Sequence, residues 1–427
     1  MRVRFTISQV CAALTLAIAT APVQAQELEV TTWQHRLRIA EAHKVAAITT
    51  RRFTDDQFWS AVAPSIASPR LTVAEVGRSM QGRPLKTVTF GHGPTTVFLW
   101  SQMHGDEATA TMALADIFAW LGDPATDRMR DQLGELLTVT FLPMLNPDGA
   151  EIFQRENAAG IDINRDVRRL ASPEARALKA VRDRLTPDFG FNLHDQGART
   201  RVGDGEQAAI ALLPPAEEAT RGYGPVRTRA RQVAAWLAAD FGNVVAGRIA
   251  RYDDTFNPRA FGDAMQSWGT STVLIESGAL PGDPEKQRLR TYNAAAIIGA
   301  LDAIATKAYE RADTNAYESL PFNRGGAYDL LVRGGSLVVP GVGALRADVA
   351  INFDDSVART GGHIREVGDL ETAVAMDTLD LTGRFLHPMP DALTLSGGST
   401  WVPIGAPARF IIRTGAHASS TEVGRLP

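Results

Sequence analysis

The chain has 427 residues, 44 Lys+Arg against 48 Asp+Glu, a formal net charge of -4 and a single cysteine. A net-acidic chain is a poor candidate for broad electrostatic binding of nucleic acid, and one cysteine excludes an internal disulfide, a multi-cysteine zinc site and an iron–sulfur cluster. With 44% hydrophobic and 22% charged residues, the composition is that of a folded globular chain of two or three domains.

The N-terminus reads as a targeting segment. Arg2 and Arg4 precede an apolar run from Val10 to Ala21, and Pro22-Val23-Gln24-Ala25 offers small or modest residues before a cut after Ala25. This is the pattern of a secretory signal peptide. The apolar run is shorter than the ~20 residues a helix needs to span a bilayer. The expectation is therefore a cleaved signal over 1–25 and a secreted or periplasmic chain with no stable membrane anchor. Cleavage leaves 402 residues with a charge of -6, and removes the lone Cys11.

Residues 26–66 read as an amphipathic helical lead-in. Leu71-Thr72-Val73 and Leu85 to Phe90 read as strands flanking a turn region from Gly77 to Pro84, and Thr95 to Trp100 is an apolar run suited to a buried strand. Asp106 to Leu121 has helical periodicity and stops at Gly122-Asp123-Pro124. Leu136 to Leu145 is strand-like, Phe189 to Leu193 and Thr272 to Ile275 are buried-strand candidates, and Arg229 to Asp240 is helix-like. Strands alternating with helices predict an α/β sheet covered by helices. Near Asp313 the texture changes to short apolar runs broken by glycines, as in Leu330-Leu331-Val332 and Leu337-Val338-Val339. The expected organisation is a signal over 1–25, a catalytic domain over 26–312 and an accessory β-rich domain over 313–427.

The central chemical feature is His104-Gly105-Asp106-Glu107, directly after the apolar run ending at Trp100. A histidine and a glutamate three apart at a strand end can face one point, and both suit zinc. His194, at the end of the Phe189 strand, is the best third candidate, because ligands gather where strand ends meet on one edge of an α/β sheet. The other six histidines have no comparable setting. Asn146-Pro147-Asp148-Gly149 reads as a turn, and Arg155 to Arg165 as a polar loop. Five of the 44 basic residues are lysine and the other 39 arginine, so no single arginine carries weight by its type alone.

In this order, these segments resemble the zinc metallocarboxypeptidase family, the carboxypeptidase A-like enzymes. The resemblance covers roughly Val76 to Gly278. It rests on Gly77 to Pro84, His104 to Glu107, Asn146 to Gly149, Gly160-Ile161-Asp162-Ile163-Asn164-Arg165, His194 and Glu276. It implies a mixed central β-sheet flanked by helices and one Zn2+ per chain, held by His104, Glu107 and His194. It implies Glu276 as general base and proton shuttle, and Arg155 as the cation that polarises the scissile carbonyl. Asn164 and Arg165 would grip the terminal carboxylate of a peptide substrate, and Asp162 would accept a hydrogen bond from His104. Tyr252 is the nearest candidate for the family's mobile, substrate-covering tyrosine, although Arg251 to Gly269 does not align cleanly. Trp268 or Phe261 could line the pocket instead, with a core role as the plainer reading.

The sequence also departs from the family. Asp106 stands where an arginine is common, and Asp166 where an asparagine is. Those departures keep a second substrate class open: a zinc amidase or deacylase acting on cell-wall peptides or N-acyl amino acids. A non-catalytic binding protein on the same scaffold is a third reading, and it would require a broken ligand set or a missing base. Asp329 to Val339 with Ala347 to Ile351 resembles the small β domain that flanks amidohydrolase barrels, without a barrel here. Nothing in the sequence sets an oligomeric state.

Overall fold

A computed structural model describes residues 30–426 except 243 and 397. The expected signal segment and Cys11 lie outside the described residues. No helix among the described residues is long and apolar enough to cross a membrane.

The expected lead-in forms two helices, α1 (Trp33–Ala42) and α2 (Asp55–Ile66). Thr54 and Gln57 close a capping box at the start of α2, each satisfying a backbone N–H of the other. Strands β1 (Leu71–Arg78), β2 (Pro84–Phe90) and β3 (Thr95–Ser101) follow. Next come α3 (Thr109–Gly122), α4 (Arg128–Leu136), β4 (Leu137–Leu142), α5 (Pro147–Ile152), α6 (Pro173–Leu185) and β5 (Phe189–Asp195). The body continues through β6 (Arg201–Val202), β7 (Ile210–Leu213), α7 (Pro225–Gly242), β8 (Ile249–Arg251), α8 (Phe261–Ser267), β9 (Ser271–Ser277) and α9 (Gln287–Ala305).

Eight of these strands make one mixed sheet in the order β1-β2-β4-β3-β5-β9-β7-β8. The central pairs β4–β3, β3–β5 and β5–β9 are parallel, and β1–β2, β2–β4 and β7–β9 antiparallel. All seven residues of β9 are buried, as expected of a strand covered on both faces. One large apolar cluster joins α1, α2, α3, α7 and α9 to one face of the sheet, and a second joins α6 and α8 to the other. This is the expected mixed α/β sheet flanked by helices.

Two expectations need correction. Asn146 to Gly149 is not a free turn. The Asn146 side chain accepts from Gly149 N at 2.9 Å, Pro147 takes the first helical position, and the segment opens α5. Asparagine before proline is a helix start as well as a turn signal. The helix expected from Asp106 starts only at Thr109, which leaves His104 to Glu107 as a turn closed by Glu107 N donating to His104 O at 3.1 Å.

Beyond α9, a short α10 (Asn315–Glu318) leads to β10 (Asn323–Arg324), which pairs with β6 and stitches the linker to the body. The C-terminal strands are β11 (Tyr328–Arg333), β12 (Ser336–Val339), β13 (Gly343–Arg346), β14 (Asp348–Asp355), β15 (Thr360–Gly368), β16 (Ala375–Asp380) and β17 (Phe385–Pro388). They continue as β18 (Thr394–Ser396), β19 (Ser399–Trp401), β20 (Phe410–Arg413) and β21 (Glu422–Leu426). Sheets β15-β14-β11-β16 and β13-β12-β17-β20-β21 bury one apolar cluster that includes Val332, Leu337, Ile351, Leu386 and Phe410.

Candidate active site

The C-terminal ends of β3, β5 and β9 lie side by side, and the site is built there. His104 follows β3, His194 lies near the end of β5, and parallel register places Glu276 of β9 beside His194. The turn carrying His104 is fixed by close packing. A Cβ on Gly105 would meet the Gly149 carbonyl carbon at 2.1 Å, and one on Gly149 would meet Asn146 Nδ2 at 2.5 Å. Only glycines let the two backbones approach this closely.

The polar segments around it are scaffold. Buried Asp148 accepts from Ser79 Oγ, Gln81 N and Arg83 Nη1 at 2.7, 2.9 and 2.7 Å, tying the Gly77–Pro84 turn region to α5. Buried Glu174 accepts from Met80 N and Asn157 Nδ2, at 2.7 and 3.1 Å. This holds the loop that carries Arg155, Asp162 and Asn164.

Three side chains converge in the cleft. Glu107 Oε1 lies 2.7 Å from His104 Nδ1, Glu107 Oε2 lies 2.7 Å from His194 Nδ1, and the two Nδ1 atoms are 3.2 Å apart. All three residues are buried, and their donor atoms lie within 4.8 Å of one another. Ligands roughly 2.0–2.2 Å from a tetrahedral zinc ion would stand about 3.3 Å apart, so the cluster is a slightly contracted version of that set. Two nitrogens and one carboxylate oxygen match zinc's preference, and three ligands leave a position open. The orientation is fixed from behind. His104 Nε2 pairs with Asp162 Oδ1 at 3.1 Å, and Asp195 N donates to Glu107 Oε2 at 3.1 Å.

Charge is distributed unevenly over this cluster. Burial disfavours the His104 imidazolium, but Glu107 and Asp162 outweigh it and push its pKa to about 9. Burial keeps His194 below its ordinary value despite Glu107. The two imidazoles hold the Glu107 carboxyl well below the carboxylate range although burial opposes its charge. Glu276 goes the other way: burial, then the Glu107 charge, push it well above that range. Two carboxyls at one site with opposed shifts is an arrangement suited to distinct roles.

A cavity of about 580 Å³ opens over these groups, and Arg155, Asn164, Arg165 and Tyr252 line it. Arg155 Nη2 donates to Asp162 Oδ2 at 2.9 Å and Nη1 to Glu107 Oε1 at 3.3 Å. Asn164 receives Phe261 N on Oδ1 at 2.9 Å and sets Nδ2 at 3.4 Å from His194 Nε2, so it also steadies a candidate ligand. The Tyr252 phenol is pushed up to about 12, first by the Glu276 charge and then by burial. Asp106 does not line the cavity, and its Oδ1 is buried without a partner. Phe261 is fully buried with Trp268 packed against it, and neither lines the cavity. The structure gives both the core position.

Sequence reasoning missed several cleft residues. Asn192, two positions before His194, lines the cavity and carries a buried Oδ1 without a partner. Asp195 pairs with Lys286 at 2.8 Å, both side chains nearly inaccessible. Gln196 receives Asn323 Nδ2 at 3.0 Å, which brings the linker to the cleft wall. The alternation of β5 could have pointed to Asn192. Lys286 and Asn323 reach the site by folding alone.

Residues 59–199 match the family model described as zinc carboxypeptidase. This stretch is a zinc carboxypeptidase domain. The match contains His104, Glu107, Arg155, Asp162, Asn164, Arg165 and His194, and ends before Tyr252 and Glu276. Relatives of this zinc carboxypeptidase domain include "Probable carboxypeptidase 2" of Arthroderma benhamiae, 33% identical over 125 residues, or 28% of this chain and 23% of that protein. "Carboxypeptidase E" of Caenorhabditis elegans is 32% identical over 116 residues, 22% of this chain and 25% of that one. The chain thus spans about a quarter of the length of the curated relatives it matches. Among solved structures, a metallo-carboxypeptidase from Burkholderia cenocepacia is similar over 60% of this chain and 70% of its own, at 17% identity and a TM-score of 0.49.

Proposed function

We propose that this chain is a secreted or periplasmic zinc carboxypeptidase that hydrolyses the C-terminal peptide bond of peptides. One observation carries the reading. A His-Glu-His cluster and an unpaired Glu276 face one cavity whose wall also holds two arginines and a tyrosine. The amino-terminal pattern ending at Ala25 supports export.

When bound, zinc supplies Lewis acidity, which acidifies water and polarises a carbonyl. The remaining work falls to side chains. The Glu276 carboxylate takes the proton of the attacking water and returns it to the leaving amine, and its raised pKa suits both halves of that transfer. The Arg155 guanidinium, held by Asp162, faces the cleft and steadies negative charge on the carbonyl oxygen. Arg165 forks onto the terminal carboxylate of the substrate, a geometry a lysine cannot offer. Asn164 assists it, and Tyr252 covers the substrate. The linker and the C-terminal sheets form an accessory β-rich unit without a catalytic residue.

The test uses purified protein and a short peptide with a free or amidated C-terminus. Amidation should abolish cleavage, and equal cleavage of both would contradict the Arg165 assignment. Glu276→Gln should retain zinc and lose turnover. A second reading keeps the metal and base but takes cell-wall peptides or N-acyl amino acids as amidase or deacylase substrates. It is favoured by Asp106, which stands where the family's additional substrate-binding cation would be and does not reach the cleft.

A further inference from the structure

Arg165 belongs to two cavities at once. On one side it lines the cleft. On the other it lines a separate space of about 610 Å³ bounded by Arg165, Asp166, Arg168, Arg169 and Arg259. Four of these five residues are guanidinium cations. The one acid does not neutralise them through contact. The Asp166 carboxylate is buried and accepts from Ala171 N, Ser172 N and Ser172 Oγ at 2.9, 2.8 and 2.9 Å, capping the turn before α6.

The arginines themselves are idle. Arg168, Arg169 and Arg259 are exposed, and among the described residues none of their side chains takes a hydrogen bond, ion pair or ring contact. Arg165 Nη1 donates only to its neighbour's carbonyl, Asn164 O, at 2.7 Å. The fully buried arginines of the body are consumed: Arg36 pairs with Asp240, Arg227 with Asp254 and Arg290 with Asp116. In a chain with a net charge of -4, acids are available to pair these three as well. Like charges gathered without a partner raise the local potential, and a planar guanidinium matches the two oxygens of a carboxylate.

We propose that this cavity is an anion subsite that receives a second carboxylate of the substrate, the acidic side chain of its C-terminal residue. The proposal rests on Arg165 gripping the terminal carboxylate, as argued above. An acidic side chain on the same residue is then one guanidinium away from Arg168, Arg169 and Arg259. The cleft itself is the poorer place for that group, because Asp263 lines it. The chain should therefore prefer peptides ending in glutamate or aspartate to their amide counterparts. A charge-assisted hydrogen bond is worth enough to make this preference about tenfold or more.

The experiment compares kcat/KM for two peptides that differ only in a C-terminal glutamate or glutamine. It runs on the full chain and on an Arg168→Gln/Arg169→Gln/Arg259→Gln variant, whose changes are confined to exposed side chains. A turnover-independent arm measures binding of N-acetylglutamate and N-acetylglutamine by calorimetry. The expected result is a glutamate preference of about tenfold that falls toward one in the variant and weakens with added salt, with the same order in binding. A ratio near one in the unaltered chain, or a ratio the variant does not move, overturns the subsite while leaving the carboxypeptidase reading intact. If neither peptide is cut but N-acetylglutamate still binds selectively through these arginines, the subsite stands and the carboxypeptidase reading falls.

Discussion

The α/β body and the C-terminal sheets both bury large apolar clusters, yet they treat polar groups in opposite ways. Nearly all the buried polar and charged side chains among the described residues lie in the body. From Tyr328 onward the only one is Asp329, and it pairs with Arg199 of the body at 3.1 Å. Burying polar groups is costly unless they are paired, and a site that must hold charge tolerates that cost where a purely structural region need not. Several such groups gather at the ends of three adjacent strands and the turn after β3, including buried acceptor atoms with no partner on Asn192, Asp195 and Asp106. Among the described residues of the C-terminal sheets the buried unpartnered atoms are two arginine donors, Arg333 Nε and Arg413 Nε, and no acceptor joins them.

Substitutions in each region test this contrast. The largest effect should come from Glu276→Gln, which keeps the shape of the side chain and removes the proposed base. Turnover should fall ~10²–10⁴-fold with the unfolding midpoint almost unchanged. Peptide hydrolysis assays beside thermal melts check this, and an active variant would move the base elsewhere. Next is Arg155→Ala, where kcat should fall ~10²–10³-fold and Arg155→Lys should rescue it poorly. A loss confined to KM would instead make Arg155 a binding residue.

Asp162→Asn should weaken zinc affinity or activity ~10–100-fold, because Asp162 orients His104 and also holds Arg155. Metal content after dialysis against a weak chelator reads this directly. The smallest catalytic effect belongs to the other region. Asp329→Ala removes an acceptor for Phe353 N, Ser356 Oγ and Arg199 Nη1. It should lower stability by about 1–3 kcal/mol and leave kcat/KM near its starting value. A collapse of activity with the fold intact would show that the β-rich part helps to build the site.

The site was more legible in the sequence than much of the framework around it. His104 and Glu107 sit on one turn, and Asp162, Asn164 and Arg165 on another, so their spacing is local. The same holds for the short apolar runs that mark β5 and β9 as buried strands. Helix α9 gave no periodic signal because fifteen of its nineteen residues are buried, leaving no polar face to mark a repeat. Helix α5 was hidden because Asn-Pro-Asp-Gly reads equally well as a turn. Lys286, 91 residues from Asp195, and Asn323, 127 from Gln196, could not be found by pattern at all. Their positions depend on strand order and on the β10–β6 pairing, which nothing in their own segments encodes.

The central claim is that His104, Glu107 and His194 hold a zinc ion on which peptide cleavage depends. Its most direct test is to follow release of the C-terminal residue from a peptide mixture by mass spectrometry. The chain is assayed as purified, after removal of metal by a chelator, and after zinc is restored. Release by the purified chain, its loss on chelation and its return with about one zinc per chain are the expected results. Release that persists in metal-free protein, or a purified chain that binds no zinc, would contradict the claim.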